Sequence, residues 1–157
     1  MKILFFCIIT LLVLPAVGRK SEGIEVVIEI GKSYKYDLSK GVYSVLRDGG
    51  YIQIKFTLTE EEIYKIRKMY YSLYLNKLPR SIIFKDNCTV MPKKFTKLFV
   101  NAKGKSQVIS IDNNCNSFGL SERSKAARVK KYLLYIKQIM EVKKEIKEAP
   151  KSDYIYM

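Results

Sequence analysis

The chain has no histidine and no tryptophan among its 157 residues. Without histidine there is no Ser-His-Asp triad, no Cys-His nucleophile pair and no imidazole-ligated metal. The commonest general base is missing as well. Cysteine is scarce: only Cys7, Cys88 and Cys115 occur. A single long apolar run exists, from Ile3 to Leu14, and it is shorter than the roughly 20 residues a membrane-spanning helix needs. The four prolines are scattered, and no repeat, low-complexity block or linker interrupts the chain. One domain is the simplest partition.

That apolar run has the form of an export signal. Lys2 supplies the charged start, Ile3 to Leu14 the apolar middle, and Ala16-Val17-Gly18 a small-residue ending suited to a signal peptidase. The expectation is a cleaved signal over 1–18, one domain over 19–149 and a short tail over 150–157, in a periplasmic or secreted protein. Cleavage leaves 139 of the 157 residues, enough to bury a core. It also removes Cys7. Cys88 and Cys115 then form an even pair in an exported chain and are expected to be disulfide-bonded. Closing that loop stabilises a fold by roughly 3 kcal/mol in the chain-entropy account. Neither cysteine belongs to a Cys-x-x-Cys redox motif, and a bridged pair leaves no thiolate for zinc. No metal and no cofactor are expected.

Charge is plentiful and lopsided. Lysine and arginine number 29 against 15 acids, a net +14. The signal carries one lysine and no acid, so the mature chain has 28 cations against 15 anions, or +13. Such an excess attracts anionic partners, here an acidic protein or an anionic envelope polymer. Export argues against an intracellular nucleic-acid role, and no nucleic acid is expected. A composition rich in Lys, Ile, Tyr and Asn, with lysines spread along the chain, accounts for much of the excess as solvation.

The pattern of apolar residues gives the fold. In "IEVVIEI", Ile24, Val26, Ile28 and Ile30 alternate with Glu25 and Glu29, as in a strand buried on one side. "GKSYKYDLSKG" reads as a turn-rich connection. "VYSVLR" and "YIQIKFTL" around Asp48-Gly49-Gly50 make a hairpin. The alternation stops at Leu58, and Thr59-Glu60-Glu61-Glu62 forms a capping box with an acidic first turn. Ile63, Ile66, Tyr70 and Leu73 then follow at helical spacing. Consecutive glutamates point about 100° apart on a helix, so they cap rather than converge on an ion. "SIIF" is a short strand; "TKLFVNA" and "QVISID" around "KGKS" are a second hairpin. A last helix, capped by Ser121, carries Ala126, Val129, Leu133, Ile136 and Met140 as its stripe and stops by Pro150. The expectation is an α+β domain: a mainly antiparallel sheet of about five or six strands with two helices packed on one face.

Several motifs fail on context. Gly104-Lys105-Ser106 matches the end of a phosphate loop, but Phe99 stands where the first glycine belongs and a strand follows. "DNNCNS" alternates oxygen ligands like a calcium loop, but Ser117 and Arg123 occupy its glycine and glutamate positions. Asn87-Cys88-Thr89 fits a glycosylation acceptor, which matters only in a eukaryotic secretory route. Catalysis would have to rest on carboxylates such as Asp37, Asp48, Asp86 and Asp112 facing a cleft, and Asp48 and Asp112 stand where turns favour Asp. The tyrosines of the first helix beside its lysines, and the basic flank of the last helix, mark a candidate binding surface: Lys65, Lys68, Tyr71, Arg128 and Lys131.

The run "IKFTLTEEEIYKIRKMYY", a later Cys, the Lys-rich terminal helix and the closing "SDYIYM" resemble small exported proteins of flavobacteria-type bacteria. The resemblance implies a bacterial envelope address and assigns neither an activity nor site residues. The function expected is a non-catalytic exported binding protein. A small inhibitor or immunity-like protein for one acidic partner is the alternative, and a carboxylate-dependent hydrolase is third.

Overall fold

The computed structural model describes residues 23–85, 87, 89, 94–112 and 117–153. The signal, Asp86, Cys88, Cys115 and the last four residues lie outside them.

The strands are β1 (Ile24–Ile30), β2 (Tyr34–Asp37), β3 (Val42–Arg47), β4 (Gly50–Lys55), β5 (Ser81–Phe84), β6 (Phe95–Ala102) and β7 (Lys105–Asp112). The helices are α1 (Glu60–Ser72), α2 (Leu120–Glu141) and a single turn, α3 (Lys144–Lys147), with a 3-10 turn at Leu75–Lys77. One seven-stranded sheet runs β4-β3-β2-β1-β6-β7-β5. Every pairing is antiparallel except β5 with β7. The fold is α+β, as the sequence pattern requires, with one strand more than expected. The extra strand is β2, hidden inside the supposed turn. Its alternating Tyr-Lys-Tyr-Asp is too short to stand out between Gly31 and Gly41, yet Tyr34 and Tyr36 both stack on Tyr43 of β3, with centroids 6.1 and 4.6 Å apart.

β1 to β4 form a meander, and α1 then carries the chain from the β4 edge to the β5 edge. Gly41 is required in this meander: its φ of +61° is left-handed, and a Cβ there would sit 2.4 Å from the Phe56 carbonyl oxygen. The β3–β4 and β6–β7 turns use left-handed pairs, Asp48-Gly49 and Lys103-Gly104.

One face of the sheet is covered by α1 and α2. Val26, Ile28, Val45, Phe84, Leu98, Val100, Ile109 and Ile111 are buried beneath them. From α1 come Ile66 and Tyr70; from α2 come Ala126, Val129, Tyr132, Ile136 and Met140. Tyr132 takes the place expected for Leu133, which is only half-buried, because the inner stripe turns toward α1 and Tyr132 meets Tyr70 there at 5.9 Å. Gly119 rather than Ser121 is the N-cap of α2, and no side chain caps that end.

The capping box of α1 is formed on both sides. Thr59 Oγ1 accepts from the Glu62 amide, and the Thr59 amide donates to Glu62 Oε2. The same carboxylate oxygen lies 2.7 Å from Lys143 Nζ, so α1 begins against the junction of α2 and α3. Residues beyond α3 return to the sheet. Ser152 Oγ donates to the Leu46 carbonyl, and Asp153 Oδ2 accepts from the Asp48 amide. The expected tail is therefore fastened to the β3–β4 hairpin as far as Asp153.

The Glu62 junction gives stability a pH dependence. Burial alone would raise the Glu62 pKa, but the Lys143 ion pair and the Thr59 hydrogen bonds outweigh it and hold it below its usual value. A depressed carboxylate pKa contributes stability above its unfolded value and loses it as pH falls through the folded one. Glu62→Gln should cost about 0.5–1 kcal/mol at neutral pH, and the gap from wild type should close in acid, measured by urea unfolding across pH. Two buried phenols differ in their partners. Tyr70 OH donates to Gln107 Oε1, whereas Tyr132 OH, fully buried, has no partner among the described residues. Tyr70→Phe should destabilise by about 1–3 kcal/mol, and Tyr132→Phe should stay within about 0.5 kcal/mol of wild type or exceed it, read by the same unfolding measurement.

Candidate functional site

Two contacts fix how the long helices lie. Glu62 at the start of α1 meets Lys143 just past the end of α2. Leu73 at the end of α1 accepts a hydrogen bond from Arg128 in the first half of α2, at 3.2 Å. The helices are therefore antiparallel neighbours.

Antiparallel packing sorts their charges. All three acids of α1, Glu60, Glu61 and Glu62, stand in its first turn, beside the end of α2, which carries Glu141 and Lys137 with Lys143 just past it. The later turns of α1 bear Arg67 and Lys68. Residues 120–131 of α2 bear Arg123, Lys125, Arg128, Lys130 and Lys131. Glu122 is the one acid in the opening turn of α2. Residues 120–131 of α2 thus form a basic pole with one acid against five cations, whereas at the start of α1 and the end of α2 acids and lysines are mixed.

The five expected binding residues all fall on these two helices, with different roles. Lys65 is bound to Glu61 one turn back at 2.6 Å, and chiefly that hydrogen bond raises its pKa. It sits on the acidic side. Tyr71 is half-buried and packs edge-on to Tyr70 at 5.2 Å. Arg128 holds the α1 carboxyl end, and its half-buried stem makes it part of the helix junction. Lys68 and Lys131 remain exposed, and Lys131 makes no ion pair among the described residues.

Two residues beside them do not stand out in the sequence. Tyr64 is 51% exposed, and its ring receives Arg67 at 5.8 Å and Lys68 at 6.0 Å. These distances are within cation–π range. The i, i+4 spacing of Tyr64 and Lys68 is the available signal. Ile63, 42% exposed, adjoins them instead of packing inward.

The face of the sheet away from α1 and α2 offers a concavity of about 500 Å³, lined by Glu29, Lys35, Asp37, Lys40, Ser44, Tyr51 and Gln53 among others. Its charges cancel locally: Lys35 pairs with Glu29 at 3.2 Å and Lys40 with Asp37 at 3.8 Å. The carboxylates considered for catalysis are dispersed. Asp37 Oδ1 accepts the Lys40 amide, Asp48 occupies the β3–β4 turn, and Asp112 is buried at the end of β7. Among the described residues, no three His, Cys, Asp or Glu side chains are grouped for a metal ion, and no helix is long and apolar enough to cross a membrane.

No protein-family model matches this chain, nor does any curated protein or solved structure.

Stability separates the structural cation from the exposed ones. Arg128→Ala should lose about 1–2 kcal/mol in urea unfolding, since the Leu73 carbonyl loses a charged donor and the junction loses an aliphatic stem. Lys68→Ala and Lys131→Ala should stay within about 0.5 kcal/mol of wild type.

Proposed function

We propose that this chain is an exported, non-catalytic binding protein that engages an acidic partner through the basic pole of its helical layer. The observation that carries the proposal is the excess of cations on the first part of α2. Arg123, Lys125 and Lys131 are exposed there with Glu122 as the one acid, exposed Lys68 stands on the neighbouring helix, and the acids of α1 are confined to its first turn. An acidic protein or an anionic envelope polymer would meet a patch of one sign there.

A protein partner is the reading favoured by Tyr64. An exposed aromatic with an arginine and a lysine against its ring has the composition of an interface anchor. Ile63 extends its apolar edge. A tight one-to-one complex of inhibitor or immunity type would use Tyr64 with Arg67 and Lys68 as an anchor.

The test is a pull-down from envelope and secretome extracts, using residues 19–157 and the double variant Lys68→Glu/Lys131→Glu, washed at low and high salt. One acidic species held in stoichiometric amount at both salts, and lost with the double variant, is the expected result. Salt screens exposed charges within about 3 Å at 1 M, so retention only at low salt would mean a polyanion held by charge alone. Retention unchanged in the double variant would overturn the assignment to the basic pole.

A further inference from the structure

The flank of α2 turned away from α1 has a different character. Lys130, Leu133, Leu134 and Lys137 project from it over the ends of β1 and β6. Beneath them lies a cleft of about 360 Å³, floored by Ile28, Ile30, Tyr36 and Thr96 and closed along α2 by Ile136 and Met140. The walls are mostly aliphatic. Two of the exposed large apolar residues of the protein, Leu134 at 55% and Ile30 at 39%, stand at this cleft. Apolar surface left open beside a cavity is the mark of a ligand groove more than of a solvated helix flank.

The cations are placed around it. Lys130 Nζ lies 4.7 Å from the Phe118 ring centroid, and Lys137 Nζ lies 3.5 Å from Glu141. Both stems line the cleft while the Lys137 side chain stays largely exposed, the usual disposition of a lysine along apolar surface. An aliphatic chain inside the cleft would thus place its head group between two ammonium ions.

We propose that this cleft binds a single-chain amphiphile with an anionic head, of the class of a long-chain carboxylate. Its volume is near the lower end of the about 300–1,000 Å³ typical of small-molecule sites, which suits one chain and not a two-chain lipid. The head group remains at the mouth because a buried carboxylate would need full compensation for lost water. Glu141 already occupies Lys137, so it competes with the incoming anion. The binding partner proposed for the basic pole uses residues other than those lining the cleft, so either proposal can fail without the other.

Calorimetric titration of residues 19–157 with dodecanoate below its micelle concentration tests the cleft. Dodecanol serves as the uncharged analogue and anionic phospholipid vesicles as a membrane control. Saturable one-to-one dodecanoate binding is expected, with dodecanol weaker by about fivefold, the scale of exposed ion pairs. Leu134→Asp should abolish binding. Lys137→Gln should weaken dodecanoate by about threefold and leave dodecanol unchanged, while Glu141→Gln should strengthen dodecanoate by a similar factor. Lys68→Glu should leave dodecanoate binding unaltered, with circular dichroism verifying the fold of each variant. No saturable binding, equal affinity for dodecanol, persistence in a folded Leu134→Asp variant, or uptake by vesicles alone would each overturn the proposal.

Discussion

The Gln107 side chain lies almost wholly inside the protein, on the helix-covered face of β7. All of its polar capacity is directed at the last turns of α1 and the 3-10 turn beyond. Its oxygen accepts from Tyr70, and its nitrogen donates to the carbonyls of Leu75 at 3.3 Å and Leu78 at 2.7 Å. Lys105, two residues earlier on the same face, gives its ammonium to the carbonyls of Asn76 and Leu78. The end of a helix leaves carbonyls without partners, and a short 3-10 turn leaves more. Here the sheet itself supplies the donors. A glutamine buried without those carbonyls would cost a polar desolvation penalty, and the carbonyls without the glutamine would cost another. The two needs are met only if α1 finishes over β7.

That constraint determines the rest of the helical layer. With the end of α1 fixed over β7 and its start held at Lys143, α2 can pack beside it only in the antiparallel sense. Tyr70 and Tyr132 form the seam, and one flank of α2 is used up against α1. The other flank overhangs the ends of β1 and β6, where no further helix of the described residues arrives, and the apolar cleft is what remains. The same placement puts the acidic turn of α1 beside the end of α2, away from the cations of residues 120–131. Two distinct surfaces, one basic and aromatic, one apolar with a cationic rim, therefore have a common structural origin.

Much of the architecture is legible in the sequence because it rests on local periodicity. The alternation of Ile24, Val26 and Ile28 places one face of β1 whatever the topology, and Thr59 followed by Glu62 marks the start of α1 through a contact three residues long. What stays hidden depends on long-range partners. β2 is a strand because Tyr34 and Tyr36 stack on Tyr43 and pair with β1, not because four residues declare it. Tyr132 is core and Leu133 is not because α1 lies on one side of α2, a fact absent from a helical wheel. For the candidate surface, all five residues lie on the expected helices, but their roles are mixed. Arg128 reads as a surface cation until the Leu73 carbonyl is seen beneath it. Tyr64 is one of several tyrosines on α1, and periodicity alone does not say that it, rather than Tyr71, is the exposed ring that Arg67 and Lys68 meet.

The overall charge takes a different meaning once pairing is considered. A chain of +14 could carry its excess evenly, in which case no surface would be distinguished. The acids here are instead committed to nearby cations that hold local structure: Glu62 to Lys143 at a helix junction, Glu29 to Lys35 across β1 and β2, Asp37 to Lys40 in a turn, Glu61 to Lys65 and Glu141 to Lys137 along helices. Exposed pairs of this kind add little stability, about 0–1 kcal/mol each. Their larger effect is subtractive: they cancel charge where acids stand and leave it undiminished where they do not. Lys68 and Lys131 make no ion pair among the described residues, so their charge is left undiminished by pairing. Retaining like charges together disfavours the compact state through self-repulsion. That cost falls on the basic stretch of the helical layer, and an anionic partner settling there would relieve it.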